Sequence, residues 1–159
     1  MQSEYISREG YDFLNAQIKN LKVQHKDLLD QITLNREQES GDESENSELI
    51  RLNAEINSVI KKEQELTEYC SSCVIVDLSK QAKDGRVRFG NTVTVLDLDN
   101  DKTNTYQILG EKEADPSKHK LSYKSPLGRY LIGLEVGDEC EVPTPSGYKK
   151  YEILELKES

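Results

Sequence analysis

Two stripes of apolar residues with one shared period, broken by a single polar stretch, constrain this chain more than any other feature. Tyr11, Leu14, Ile18, Leu21, His25, Leu28 and Ile32 recur at alternating spacings of 3 and 4, the seam pattern of a coiled coil. Leu49, Leu52, Ile56, Val59, Glu63, Leu66, Cys70 and Cys73 repeat the pattern. Neither stripe can bury its seam alone, so two helices must fold back on each other. Ser7 is the expected N-cap of the first, which should run from Arg8 to about Glu39. Folding about a point near residue 44 sets Ile32 opposite Ile56, Leu28 opposite Val59, Leu21 opposite Leu66 and Leu14 opposite Cys73. The same register brings together the two polar intruders, His25 and Glu63. Paired, they satisfy each other and fix the register; apart, each would be a buried polar group with no partner. His25 therefore reads as a seam residue and not as a ligand or base. Nearer the turn, Asn35 and Glu39 take the seam positions facing Leu52 and Leu49.

The turn is Ser40-Gly41-Asp42-Glu43-Ser44-Glu45-Asn46-Ser47-Glu48. Six carboxylates (Glu37, Glu39, Asp42, Glu43, Glu45, Glu48) and no basic residue lie between Arg36 and Leu49. A hairpin arm of about 33 residues would carry this acidic tip roughly 50 Å, at about 1.5 Å per residue. Asp42 and Glu45, three apart, would share a face at a helix start. That spacing has two readings: a capping box favoured by the helix dipole, or a pair of carboxylates presented for use.

Composition agrees with an extended element. Hydrophobic residues make up 35% of the 159-residue chain and the mean hydropathy is −0.75, low for a compact globule. Residues 1–77 hold 8 Lys and Arg against 16 Asp and Glu, while residues 78–159 are nearly balanced. So acidic an arm excludes nucleic-acid binding by phosphate neutralisation and suits a basic protein cavity or a metal ion. No apolar run is long enough to span a bilayer and Met1-Gln2-Ser3-Glu4 lacks a signal-peptide core, so no membrane contact and a soluble, cytoplasmic protein are expected. Cys70, Cys73 and Cys140 are an odd set for a disulfide framework. Cys70 and Cys73 form a CxxC, but both occupy seam positions, where cysteine packs as a small hydrophobe.

The second half reads as a small mixed domain. Thr92–Leu98 and residues 103–109 form a β-hairpin across Asp99-Asn100-Asp101. Ser125-Pro126 supplies a cap and a first-turn proline for a short helix ending at Gly133. Residues 139–144 and 148–156 form a second hairpin. The expectation is an α+β protein: a coiled-coil hairpin over 1–77 with its tip at 40–48, then an antiparallel sheet with one short helix over 78–159. Neither a nucleophile–base pair nor a phosphate loop stands out there, so the residues read as a binding module.

Three ordered motifs then resemble those of the bacterial Gre transcript-cleavage factors (GreA/GreB). Gly41-Asp42-Glu43-Ser44-Glu45-Asn46-Ser47-Glu48 is similar to the family's tip segment, and Gly85-Arg86-Val87-Arg88-Phe89-Gly90 to its central motif. Ser125-Pro126-Leu127-Gly128-Arg129-Tyr130-Leu131-Ile132-Gly133, with Val136-Gly137-Asp138 and Thr144-Pro145-Ser146-Gly147, resembles its C-terminal signature. The resemblance implies an FKBP-like C-terminal domain that docks on RNA polymerase at its secondary channel, through a surface including Ser125, Pro126 and Arg129. It implies that the coiled coil enters the channel and places Asp42 and Glu45 near the catalytic Mg2+, held mainly by the polymerase. It implies that the polymerase then hydrolyses the 3′ end of backtracked nascent RNA and that the factor is not a nuclease by itself; a monomer is expected in solution, although a seam with polar gaps could self-associate. Asn46, Arg36 and Arg51 are implied tip-shaping or RNA-contact residues. Leu49 stands where an aromatic is usual, and Asn53 and Gln38 where basic residues are common. This sparse basic set is nearer GreA than GreB, and it keeps open a paralogue that occupies the channel and inhibits without stimulating cleavage.

Overall fold

The computed structural model describes residues 3–38 and 46–159. These residues form two compact units, one within Tyr11–Cys73 and one made of residues 3–10 with Val74–Ser159. The sequence reading gave residues 3–10 to the hairpin and did not foresee that a strand would join them to the later residues.

The first unit holds most of two helices, α1 (Arg8–Gln38) and α2 (Ser47–Ser72). Ser7 caps α1, its Oγ accepting from the Gly10 N–H at 3.0 Å. The seam is the one the heptads predict. Leu28, Ile32, Leu49, Leu52, Ile56 and Val59 form one buried cluster, with Leu21 and Ile60 packed against it. His25 meets Glu63, Nδ1 to Oε2, at 3.3 Å. One slip of either helix would part that pair, so it marks the register as well as satisfying two polar groups. Cys70 is buried on α2, and burial pushes its thiol up. The Cys73 Sγ donates to the Tyr69 carbonyl at 3.2 Å.

The second unit is built on a five-stranded sheet. Its strands are β3 (Thr92–Asp97), β4 (Lys102–Leu109), β5 (Lys120–Ser122), β6 (Glu139–Thr144) and β7 (Gly147–Lys157), in the order β5-β4-β3-β7-β6. Strands β3 and β4, β3 and β7, and β6 and β7 pair antiparallel, as expected. The β4–β5 pair is parallel, a departure from the all-antiparallel expectation. Two 3-10 turns, Glu111–Glu113 and Pro116–Lys118, return the chain alongside β4 before β5 begins. A three-residue edge strand carries no readable alternation, which is why the sequence did not reveal it.

Strand β3 alternates strictly, with Val93, Val95 and Asp97 inward. Val87, Val93, Val95, Ile108, Leu131 and Ile153 make the core, none more than 1% exposed. The short helix α3 (Pro126–Leu131) starts at its predicted cap: Ser125 Oγ accepts from the Gly128 N–H at 3.1 Å. Gly128 is required for a spatial reason, because a Cβ there would run into the Ser122 carbonyl oxygen.

Two further strands, β1 (Glu4–Ser7) and β2 (Cys73–Val76), form a separate two-stranded sheet. The Glu113 carboxylate holds the end of β1, accepting from the Ser7 N–H at 3.1 Å, from the Ser7 hydroxyl, and from the Gly110 N–H at 2.8 Å. Tyr5 N–H donates to the Tyr123 hydroxyl at 3.2 Å, and Lys124 pairs with Glu4.

Candidate functional site

The end of the hairpin is framed by the last turn of α1 and the first turns of α2. Residues 39–45, and with them Asp42 and Glu45, lie outside the described residues. What flanks them is well defined. Helix α2 begins at Ser47 and its cap is Asn46, in extended conformation with φ −82° and ψ 96°. Its Oδ1 accepts from the Leu49 N–H at 3.0 Å and its Nδ2 donates to Asn35 Oδ1 at 2.7 Å. The capping reading of Asp42 and Glu45 lies outside the described residues, whereas α2 itself takes its cap from Asn46. Asparagine is among the strongest caps and sits three residues before the N–H it satisfies.

Arg36 is exposed in the last turn of α1. Arg51 is exposed on α2 and is already engaged. Its Nε and Nη2 donate to Glu48 at 3.1 and 2.7 Å, and its Nη1 to Glu55 at 2.8 Å. The hydrogen bond from Arg51 holds the Glu48 carboxyl below its ordinary value, and the same bond pushes the guanidinium further up. Sequence reasoning named Arg51 as a basic residue near the tip but missed its partners. The signal was present as Glu-x-x-Arg-x-x-x-Glu, the helical spacing for ion pairs.

The second candidate surface lies on the β unit. Ser125 is spent structurally: besides capping α3, its hydroxyl donates to the Ser122 carbonyl at 2.7 Å. Pro126 is exposed at the first turn, and Arg129 is exposed with no ion pair among the described residues. Tyr130, Ile132 and Val136 follow it, 46%, 39% and 55% exposed, an apolar run beside one free cation in sequence. Leu131 and Gly128, from the same motif, are buried.

The Gly85–Gly90 motif is likewise mostly architectural. Val87 is fully buried, its N–H donating to the Leu134 carbonyl and its carbonyl accepting from Gly133 N–H, both at 2.8 Å. Arg88 is paired with Asp84 at 2.6 Å. Gly90 takes φ +86° with Leu78 pressed where a side chain would stand. Among the described residues no group of three or more His, Cys, Asp or Glu could hold a metal ion, and no helix is long and apolar enough to cross a membrane.

The sequence profile of a family described as "Transcription elongation factor, GreA/GreB, C-term" matches residues 81–158. A "Transcription elongation factor GreA" from Nautilia profundicola is 37% identical over 153 residues, covering 96% of this chain and 93% of that one. One of the same name from Paracoccus denitrificans is 37% identical over 158 residues, 99% of each chain. Among solved structures, GreA factor homolog 1 (Gfh1) of Thermus thermophilus aligns over 98% of this chain and 99% of its own, at 21% identity and a TM-score of 0.45.

Proposed function

This chain belongs to the GreA/GreB family of transcription elongation factors, and from that premise we propose that it is one. In this reading it binds RNA polymerase at its secondary channel and stimulates the polymerase's own cleavage of backtracked RNA 3′ ends. It is an accessory factor and not an enzyme in its own right. The observation that carries the reading is 37% identity along 99% of both chains to a protein of that name.

Asp42 and Glu45 are the residues proposed to act, at the polymerase active centre and in the company of its Mg2+. Mg2+ takes hard oxygen ligands and commonly uses only one or two carboxylates, which this donor set supplies. When bound, the ion supplies an activated water and charge stabilisation at the scissile phosphodiester. The chain's own part is to bring two charges to the channel on a helical arm.

Arg129 with Pro126, Tyr130, Ile132 and Val136 is proposed as the docking surface. Arg129 has no ion pair among the described residues, and Tyr130, Ile132 and Val136 expose apolar surface near it in sequence. A second reading is occupancy of the channel without cleavage, and the observation on its side is that Arg51 is paired with Glu48 and Glu55.

A backtracked complex tests both. Adding the protein with Mg2+ should release short 3′ RNA fragments, and Asp42→Ala or Glu45→Ala should abolish release while polymerase binding persists. Undiminished cleavage by both variants would overturn the assigned roles, and binding without any cleavage would select the second reading.

A further inference from the structure

We infer that Asn35 is a positioning residue for the tip: it pins the end of α1 to the cap of α2 and so fixes the two ends of the segment that carries Asp42 and Glu45. The inference rests on the cleavage-factor reading for its functional consequence, but its geometry stands apart from that reading. Asn35 occupies a seam position, half-buried, where the heptad would place an apolar residue against Leu52. A polar group there needs a partner or costs stability. It has one, in the Asn46 carboxamide at 2.7 Å.

The orientation of that contact is dictated by chemistry. The Leu49 N–H can only donate, so Asn46 must turn its oxygen to it, at 3.0 Å. Its nitrogen is left as donor towards Asn35, which must then accept. Each half of the Asn46 carboxamide is therefore used, one to start α2 and one to bind α1. The bond spans a separation of 11 residues in sequence. Tying those two positions holds the last turns of α1 to the start of α2. A seam leucine at position 35 would hold the helices together but would leave the cap untethered, because it offers no acceptor. The residue therefore exchanges packing for a directional link, as single seam asparagines do when they specify register.

The test separates holding the hairpin together from placing its end. Asn35→Leu should raise the thermal midpoint of the hairpin by improving the seam. It should also lower the maximal rate of polymerase-dependent RNA cleavage about three- to tenfold, the equivalent of one hydrogen bond. The protein concentration giving half-maximal cleavage should not move, since docking is untouched. Asn35→Asp keeps the acceptor and should retain the wild-type maximal rate. A wild-type maximal rate in Asn35→Leu would overturn the inference. So would an equal loss in Asn35→Asp, or a change confined to the half-maximal concentration. If wild-type protein itself releases no RNA fragments, the family reading fails first. The positioning claim is then decided by amide exchange at Leu49, which should quicken in Asn35→Leu and not in Asn35→Asp; equal exchange in both variants would overturn it.

Discussion

Leu52 in the hairpin seam and Ile153 in the sheet core are both 1% exposed, yet their burial is reached differently. Leu52 is covered by a stripe of residues that repeat along two helices, most of whose partners follow from one register. Ile153 is covered by Val87, Val93, Val95, Ile108 and Leu131, drawn from two other strands, a loop and a helix. The seam is one-dimensional and leaves the outer helix faces to solvent, with Phe13, Val23 and Leu34 more than half exposed. The sheet core is closed on itself. A chain can thus pair a periodic, locally specified element with one that depends on remote pairings, and the two should fail in different ways.

The largest effect comes from truncating each core. Leu52→Ala and Ile153→Ala should each cost about 2–5 kcal/mol. Hydrogen exchange should localise the first loss to Tyr11–Cys73 and spread the second through every strand of the five-stranded sheet. An Ile153→Ala loss confined to β7 would break the comparison. Next comes Gly128→Ala, which should cost about 1–3 kcal/mol as an overpacking change. The expected result is a lower midpoint for the β unit and an unaltered hairpin by helical circular dichroism.

Smaller is the polar pair in the seam. His25→Leu alone or Glu63→Leu alone should lose about 1–2 kcal/mol by stranding the partner, while the double change should be near neutral. Additive losses in denaturant titrations would show that the two side chains do not depend on each other. The smallest effects are in pH, and they carry opposite signs in the two regions. Glu48 is held below its ordinary 4.5 by the Arg51 hydrogen bond, so its contribution is present above that pH and fades as acid protonates the folded form. Lys124 is raised above 10.5 by its hydrogen bond to Glu4, so its contribution is full below that pH and is lost as the pH climbs through the folded value. Arg51→Gln should flatten the acid limb at α2, and Glu4→Gln the alkaline limb at β1, each read by amide exchange along that element.

What was legible in the sequence follows the same division. The seam positions, the His25–Glu63 contact, the Ser7 and Ser125 caps and both antiparallel hairpins were readable because each rests on a fixed spacing or a local turn. The strand β1 was not, since four residues show no dependable alternation and its anchor, Glu113, lies 106 residues beyond Ser7. The parallel β5 was missed for the same reason. At the tip, Asn46 as the cap of α2 was not singled out, because several oxygen-bearing residues precede that helix and sequence does not rank them. Asn35 was flagged as a polar gap in the seam, but the acceptor role that resolves it required the position of Asn46. In the C-terminal motifs, sequence could not separate buried residues such as Val87 and Leu131 from exposed ones such as Arg129.

The Ser7–Glu113 link has a consequence for how the molecule is made. Synthesis runs from the N-terminus, so β1 leaves the ribosome first; it can pair with β2 once residue 76 is out, but its contacts with Glu113 and Tyr123 must wait for those residues. The helices need only each other and can zip as soon as α2 is out. The sheet waits longest, because β7 lies between β3 and β6 and is translated after both. Non-local pairings of this kind form slowly. A nascent chain stalled before residue 147 should therefore carry a finished hairpin and an open sheet whose β3 edge is still unpaired.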